Sequence, residues 1–282
     1  MGNIPDHVVF KYLRKNKKFP HIFCPGCGHG IILGALIRAI DNLKVDKNKI
    51  VMVSGIGCSS RAPVYSDFSS FHTLHGRALA FATGVKLANP ELNVIVITGD
   101  GDASAIGGNH FIHACRRNID ITTLVLNNNI YGMTGGQYSP TTPVGGIAST
   151  APFGNIEKPF DICELANGAG ASFVARGTAF NVTAMIKIIE QAIVKKGFSV
   201  VEAVSQCHTA FGRRNKMKSP VEMMKWQRDS AVDIRAWDKL PEEKRTGKFK
   251  IGVLADHEYP EYTHEYQKII DRAQGKGKEV KK

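Results

Sequence analysis

Hydrophobic and polar positions along this chain fall into a repeated order of strand then helix. Ile50–Ser54 (IVMVS) is an unbroken apolar run, the pattern of a parallel strand buried on both faces. Gly76–Ala88 reads as a helix stopped by Asn89-Pro90. Asn93–Thr98 (NVIVIT) is the next strand, Ser104–Arg117 the next helix and Ile121–Leu126 (ITTLVL) a third strand. Turn formers then crowd Asn127–Pro143. A short helix at Asp161–Asn167, a strand at Ser172–Ala175, a helix at Asn181–Lys196 and a strand at Phe198–Ser205 complete the series.

Strands alternating with helices predict an α/β fold, a doubly wound and mostly parallel sheet. Residues 21–210 carry it, with no internal repeat. Residues 1–20 form a basic N-terminal extension. Residues 211–282 are charged and punctuated by proline, which predicts a C-terminal arm or lid rather than a second domain. The polar stretch Ala273–Lys282 is expected to fray.

Composition narrows the class. With 43% hydrophobic and 22% charged residues over 282 positions, the chain is globular rather than disordered or collagen-like. Its net charge of +12 is concentrated at the ends: Lys11, Arg14, Lys15, Lys17 and Lys18 face one Asp in residues 1–20, and residues 211–282 carry 18 basic against 12 acidic residues. That excess is a solvated surface or a docking face for an acidic partner. No zinc-finger spacing, basic-zipper heptad or stacking-aromatic motif accompanies it, so nucleic-acid binding is not expected. The first apolar run, Ile31–Ile40, lies too deep for a signal peptide and is broken by Arg38. No run approaches a membrane span. A cytoplasmic protein is expected, with its six cysteines as thiols or metal ligands.

Candidate chemistry sits at strand ends, where open α/β sheets bind ligands. Gly99-Asp100-Gly101-Asp102 follows NVIVIT directly, and Asn127-Asn128-Asn129-Ile130-Tyr131-Gly132 follows ITTLVL. Asp100 and Asn128 thus offer two hard oxygen ligands at neighbouring strand tips, as Mg²⁺ bound together with phosphate oxygens requires. The glycines let backbone N–H groups approach a diphosphate, and the helix near Ser104 points its positive end there. Simple Asp-Gly and Asn-Asn turns are the bland alternative.

Cys24-Pro25-Gly26-Cys27 is a two-thiolate hook; Cys58 follows the strand Ile50–Ser54, and Cys207 closes the last strand. Four thiolates could converge on one face, for a zinc ion or an iron–sulfur cluster. Cys115, near Phe111 and Ile112, and Cys163, beside Ile162 and Leu165, read as small core residues. His29, His72, His110, His113 and His208 each read as structural histidines.

A Gly-Asp-Gly after one strand and an Asn-Asn after the next resembles the thiamine-diphosphate pattern. With Thr134-Gly135-Gly136-Gln137 and the cysteines, the chain resembles the β subunit of 2-oxoacid:ferredoxin oxidoreductases over roughly residues 20–230. The resemblance implies that Asp100 and Asn128 by side chain, and Ile130 by its carbonyl, hold Mg²⁺. It puts Gly101 and Asp102 at the diphosphate, and Gly132 and Met133 along the thiamine. Ile56, Gly57, Cys58, Ser59 and His75 also contact the cofactor, His75 with an open role toward substrate or diphosphate. Cys24, Cys27, Cys58 and Cys207 are implied to ligate a 4Fe-4S cluster.

The sequence holds only about one domain of α/β pattern, so the pyrimidine-binding half is expected on another polypeptide. The resemblance implies the same: an α subunit with that domain, its glutamate and most substrate and coenzyme A contacts, in an αβ or (αβ)₂ assembly inactive without it. It implies decarboxylation of a 2-oxoacid through a thiamine enamine, single-electron transfer through the cluster to ferredoxin, and acyl transfer to coenzyme A. The stretch Thr134–Pro143 looks most like members using 2-oxoglutarate, giving succinyl-CoA and CO₂ or the reverse carboxylation, with pyruvate or another 2-oxoacid as the alternative. A non-redox thiamine decarboxylase or carboligase with a Cys₄ zinc site is the competing class.

Overall fold

The computed structural model describes residues 7–16, 21–217 and 219–276. In chain order the strands are β1 (Ile50–Ser54), β2 (Ser69–His72), β3 (Asn93–Gly99), β4 (Thr122–Asn127), β5 (Ile130–Tyr131), β6 (Gln137–Tyr138), β7 (Phe173–Thr178), β8 (Ser199–Val204), β9 (Ala231–Asp233) and β10 (Phe249–Asp256). Eight of them form one sheet in the order β2-β1-β3-β4-β8-β7-β10-β9, while β5 and β6 make a small antiparallel hairpin. From β2 to β7 every neighbouring pair is parallel.

Alternation along the strands divides the core into two layers. Met52, Ile95, Ile97, Leu124 and Val201 pack against the helices Gly28–Leu43 and Val182–Val194. Val51, Val53, Val96, Val125 and Val200 face the other way, toward the helices Ala78–Ala88, Gly108–Arg117 and Ile162–Gly168. Successive side chains of a strand point to opposite faces, and both faces here are covered, which is why β1 and β3 read as continuous apolar runs. The doubly wound sheet is as expected, and Cys115 and Cys163 are buried in the second layer.

Two expectations change. The helix expected from Ser104 begins at Asp100, immediately after β3, and passes through a π-helical turn at Asp102–Ile106 before continuing as Gly108–Arg117. The widened turn is accommodated by Gly107, where a Cβ would stand 3.1 Å from the Ala103 carbonyl oxygen.

The segment after Cys207 is not merely an arm. Its helix Pro220–Ser230 starts in a capping box of Ser219 and Glu222, and β10 pairs antiparallel with β7 while β9 pairs with β10. The sheet therefore gains an edge from residues expected to lie outside it. Gly252, at φ +107°, and Lys250 interrupt the apolar run of β10, which hides it as a strand. Of the expected frayed end, 277–282 lies outside the described residues.

In the N-terminal extension, Lys11 pairs with Asp41 and Arg14 donates to the carbonyls of Ser66 and Phe68. These two cations hold the extension against the domain. Lys17 and Lys18 lie outside the described residues. No helix among the described residues is long and apolar enough to cross a membrane.

Candidate functional site

The four adjacent parallel strands β1, β3, β4 and β8 end side by side, and each runs directly into a loop carrying candidate residues. After β1 comes Gly55–Ser59, after β3 Asp100–Asp102, after β4 Asn127–Ile130, and after β8 Ser205–Cys207. Strand spacing of about 4.8 Å brings these tips within reach of one ligand.

A cavity of about 90 Å³ opens between the first three loops. Ile56, Gly57, Cys58, Ser59, His75, Asp100, Gly101, Asp102, Asn128, Ile130, Gly132 and Met133, all expected at the cofactor, line it. Asp100 is buried, and its Oδ2 accepts hydroxyl bonds from Ser139 at 2.5 Å and Thr141 at 2.6 Å. Burial pushes its carboxyl above the usual range, and the two hydroxyls pull it back. A desolvated carboxylate in this setting is one that a cation would stabilise. Asn128 is buried alongside, its Oδ1 accepting from the Ile130 N–H at 3.3 Å. The turn depends on Asn129 at φ +61°, a conformation asparagine tolerates better than most residues.

Asp102, besides lining the cavity, holds the loops around it. Its carboxylate accepts from the N–H of Gly76 at 2.7 Å, the hydroxyl of Thr98 at 2.7 Å and the N–H of Ile56 at 3.4 Å, and it pairs with His75 Nδ1. It ties three loops together beneath the cavity. Gly55 leaves room for it, since a Cβ there would stand 2.7 Å from Asp102 Oδ1. His75 is thereby oriented through Nδ1 at the cavity edge.

Several lining residues escaped the sequence reading. Tyr131 covers Gly101, and its phenol is pushed up to about 12, first by burial and then by the Asp100 and Asp102 carboxylates. His29 lies buried against the cavity with Nδ1 3.2 Å from the Ser205 hydroxyl, and its pKa is lowered to about 4 by burial. Ser139 and Thr141 belong to the stretch Thr134–Pro143. The structure uses Ser139, Thr141 and Thr142 to brace Asp100 and Asn129. Only Thr134 of that stretch lines the cavity. A hydroxyl reaching back to a carboxylate from some 40 positions away leaves no local sequence signal.

A second cavity, of about 280 Å³, adjoins the first and shares Cys58, Asn128, Gly132 and Met133 with it. Cys24, Cys27, Cys58 and Cys207 all line this second space. The hook is anchored on the β8 loop: Gly28 N–H donates to the Gln206 carbonyl at 3.3 Å and Gln206 Nε2 to the Gly26 carbonyl at 3.0 Å. Gly28 must be glycine, because a Cβ would meet Ser205 and Gln206 side-chain atoms at 2.7 Å. The Cys27 thiol is pushed up to about 12, chiefly by burial, with the Cys207, Cys58 and Cys24 sulfurs adding to it. The Cys58 thiol is raised by burial and by Cys207 and Cys24, and lowered by Arg61.

Four mutually repelling sulfurs around a cavity suit a cationic centre, which deprotonates its ligands. Among the described residues, no three of these sulfurs come within 4.8 Å of one another. A tetrahedral zinc site with 2.3 Å bonds needs about 3.8 Å between sulfurs. Two of the other histidines have structural partners, His72 Nδ1 lying 3.2 Å from the Ser54 hydroxyl and His113 accepting from Arg116, whereas His208 lines the cysteine cavity.

Residues 50–203 match the family model of the thiamine pyrophosphate enzyme C-terminal TPP binding domain. The chain is 52% identical to the 2-oxoglutarate synthase subunit KorB of Methanothermobacter marburgensis, over 97% of this chain and 96% of that one. It is 48% identical to KorB of Methanocaldococcus jannaschii, over 94% and 98%. Its structure resembles that of a 2-oxoglutarate:ferredoxin oxidoreductase from Magnetococcus marinus with 2-oxoglutarate, coenzyme A and succinyl-CoA bound. That match has a TM-score of 0.84 and 34% identity, and covers 97% of this chain and 93% of the other.

Proposed function

The chain belongs to the thiamine pyrophosphate enzymes and, among them, to the KorB-type subunits of 2-oxoglutarate synthase, and from this we infer its reaction. With an α subunit it takes 2-oxoglutarate, coenzyme A and oxidised ferredoxin to succinyl-CoA, CO₂ and reduced ferredoxin, or catalyses the reverse carboxylation. The observation that carries the reading is the shared wall of the two cavities. Cys58, Asn128, Gly132 and Met133 line both the space beside Asp100 and the space among the four cysteines. That shared wall supports a decarboxylation site with an electron acceptor beside it.

Asp100, Asn128 and the Ile130 carbonyl are the residues to hold a divalent cation, Mg²⁺ by their hard-oxygen character. The backbone at Gly101 can approach a diphosphate closely because no side chain intervenes. Thiamine diphosphate, when bound, supplies an electron sink for a 2-oxoacid, and a 4Fe-4S cluster on Cys24, Cys27, Cys58 and Cys207 supplies single-electron steps. Asp102 holds the Ile56 and His75 loops in place. His75, fixed at Nδ1, presents its other ring nitrogen at the cavity edge for a substrate or diphosphate oxygen. The basic excess of the chain suits an acidic ferredoxin.

The test is the αβ complex purified without oxygen. About four irons per chain, bound thiamine diphosphate and faster ferredoxin reduction with 2-oxoglutarate than with pyruvate are expected. Colourless protein holding one zinc would return the site to non-redox chemistry. Equal or reversed rates would remove the 2-oxoglutarate assignment.

A further inference from the structure

Beyond the cavity, β7 and β8 place Arg176 and Glu202 opposite one another, both buried. Arg176 Nε donates to Glu202 Oε2 at 2.6 Å, and Nη2 to Asp161 Oδ1 at 2.5 Å. The ligating atoms of Asp161, Cys163 and Glu202 lie within 4.8 Å of one another. The guanidinium already supplies the positive charge there, so the group is an ion-pair anchor rather than a metal site.

What the anchor holds is the second oxygen of Glu202, which accepts from Asn127 Nδ2 at 2.6 Å. A carboxylate only accepts, so this contact fixes which way the Asn127 amide faces. Its Oδ1 is thereby turned to accept from the Asn129 N–H at 3.0 Å and lies 3.2 Å from the Thr141 hydroxyl, whose proton is shared with Asp100. The bond to Asn129 closes the tight turn that sets Asn128 and Ile130 beside Asp100.

We propose that the Arg176–Glu202 pair is a positioning device for the divalent-cation loop, acting through Asn127. The inference rests on the cation site read above and extends it to residues outside the cavity. Partners of metal ligands set affinity by holding the ligands in place, and their loss costs about 10–100-fold.

Replacing both members by apolar residues of similar length, R176M together with E202M, separates positioning from folding. A buried ion pair exchanged for apolar side chains is often neutral in stability, whereas removing one buried partner is not, and Asp161, which keeps its charge in the double variant, is exposed to water. In the αβ complex, the Mg²⁺ concentration that half-saturates thiamine diphosphate binding is read by calorimetry, alongside the melting temperature. The double variant is expected to need about tenfold more Mg²⁺ while melting close to wild type. N127L should show the same rise, and the triple variant no further rise, because all three changes cut one path.

A double variant with unchanged Mg²⁺ dependence, or an N127L effect that adds in full to it, would overturn the inference alone. Wild-type complex without Mg²⁺-dependent thiamine diphosphate binding would overturn the cation site itself, and the inference with it. Should the double variant not fold, N127L decides: wild-type Mg²⁺ dependence in that variant overturns the proposal.

Discussion

The Tyr131 hydroxyl donates to the Gly101 carbonyl at 3.0 Å, and its ring stands where a side chain on Gly101 would go. A Cβ at position 101 would lie 2.5 Å from Tyr131 Cε1. The two residues follow different strands, so β3 and β4 must stop in register for the ring to close over the glycine.

G101A is therefore expected to push the Tyr131 ring into the cavity that both residues line. Overpacking of this kind costs about 1–3 kcal/mol. Expressed in binding, that is about tenfold or more in thiamine diphosphate affinity. Y131F removes only one neutral hydrogen bond and should change affinity far less. Calorimetric titration of the αβ complex reads both, and wild-type affinity in G101A would show the ring free to move.

This pair also shows where sequence stops being informative. The glycine of Gly99-Asp100-Gly101 was legible as a close approach, because only glycine leaves the backbone bare, but what covers it was not. The central strands were legible because burial on both faces leaves continuous apolar runs such as Asn93–Thr98. β10 was not, since a strand next to the sheet's edge, half-exposed along most of its length, carries Lys250 and Gly252 in its run. The cysteines were placed by a short hook and two strand ends, all local signals. Ser139, Thr141, Glu202 and Arg176 act through contacts across the fold and left no pattern to read.

The six cysteines should separate into two chemical classes. Cys24 is exposed, Cys27 and Cys58 are half-buried, and all three line an open cavity together with Cys207, which is buried at its wall. Cys115 and Cys163 are buried, and burial pushes both thiols up, with the Glu202 carboxylate adding to the effect at Cys163. The thiolate is the reactive form, so burial slows both access and ionisation. Alkylation of the iron-free chain at mildly alkaline pH should modify Cys24 first, then the other three of its group. Cys115 and Cys163 should react only after denaturation. Peptide mass spectrometry reads the order, and native labelling of Cys163 would contradict its burial. Iron loading should protect the four cavity cysteines together.

Asn118 carries a stability test separate from the cofactor. In the left-handed conformation at the end of the helix Gly108–Arg117, it accepts from the Phe198 N–H at 2.7 Å and the Ser172 hydroxyl at 2.9 Å. Its Nδ2 donates to the carbonyls of Tyr259 and Pro260. One side chain thus joins the starts of β7 and β8 to the C-terminal segment. At about 1 kcal/mol per neutral bond, N118A should lose about 2–4 kcal/mol. N118G loses the same bonds without the left-handed strain, and should fall about 1 kcal/mol less. Urea unfolding measures both, and cofactor affinity at native conditions should be unchanged. A mild N118A would mean that water replaces these bonds.

The C-terminal segment gives the sharpest difference between an arm and a piece of the sheet. Ending the chain after Arg245 removes β10 and the helix Tyr262–Ala273. β7, whose residues are buried throughout, would then present an unpaired edge from Phe173 to Thr178. Bare apolar edges recruit other strands, so the shortened chain should aggregate or form higher oligomers. A lid would behave otherwise, because its loss leaves a soluble domain with altered substrate access. Size-exclusion chromatography of the truncated chain decides between them. A monodisperse product that still binds thiamine diphosphate and Mg²⁺ would make residues 246–276 dispensable to the fold, against their place in the sheet.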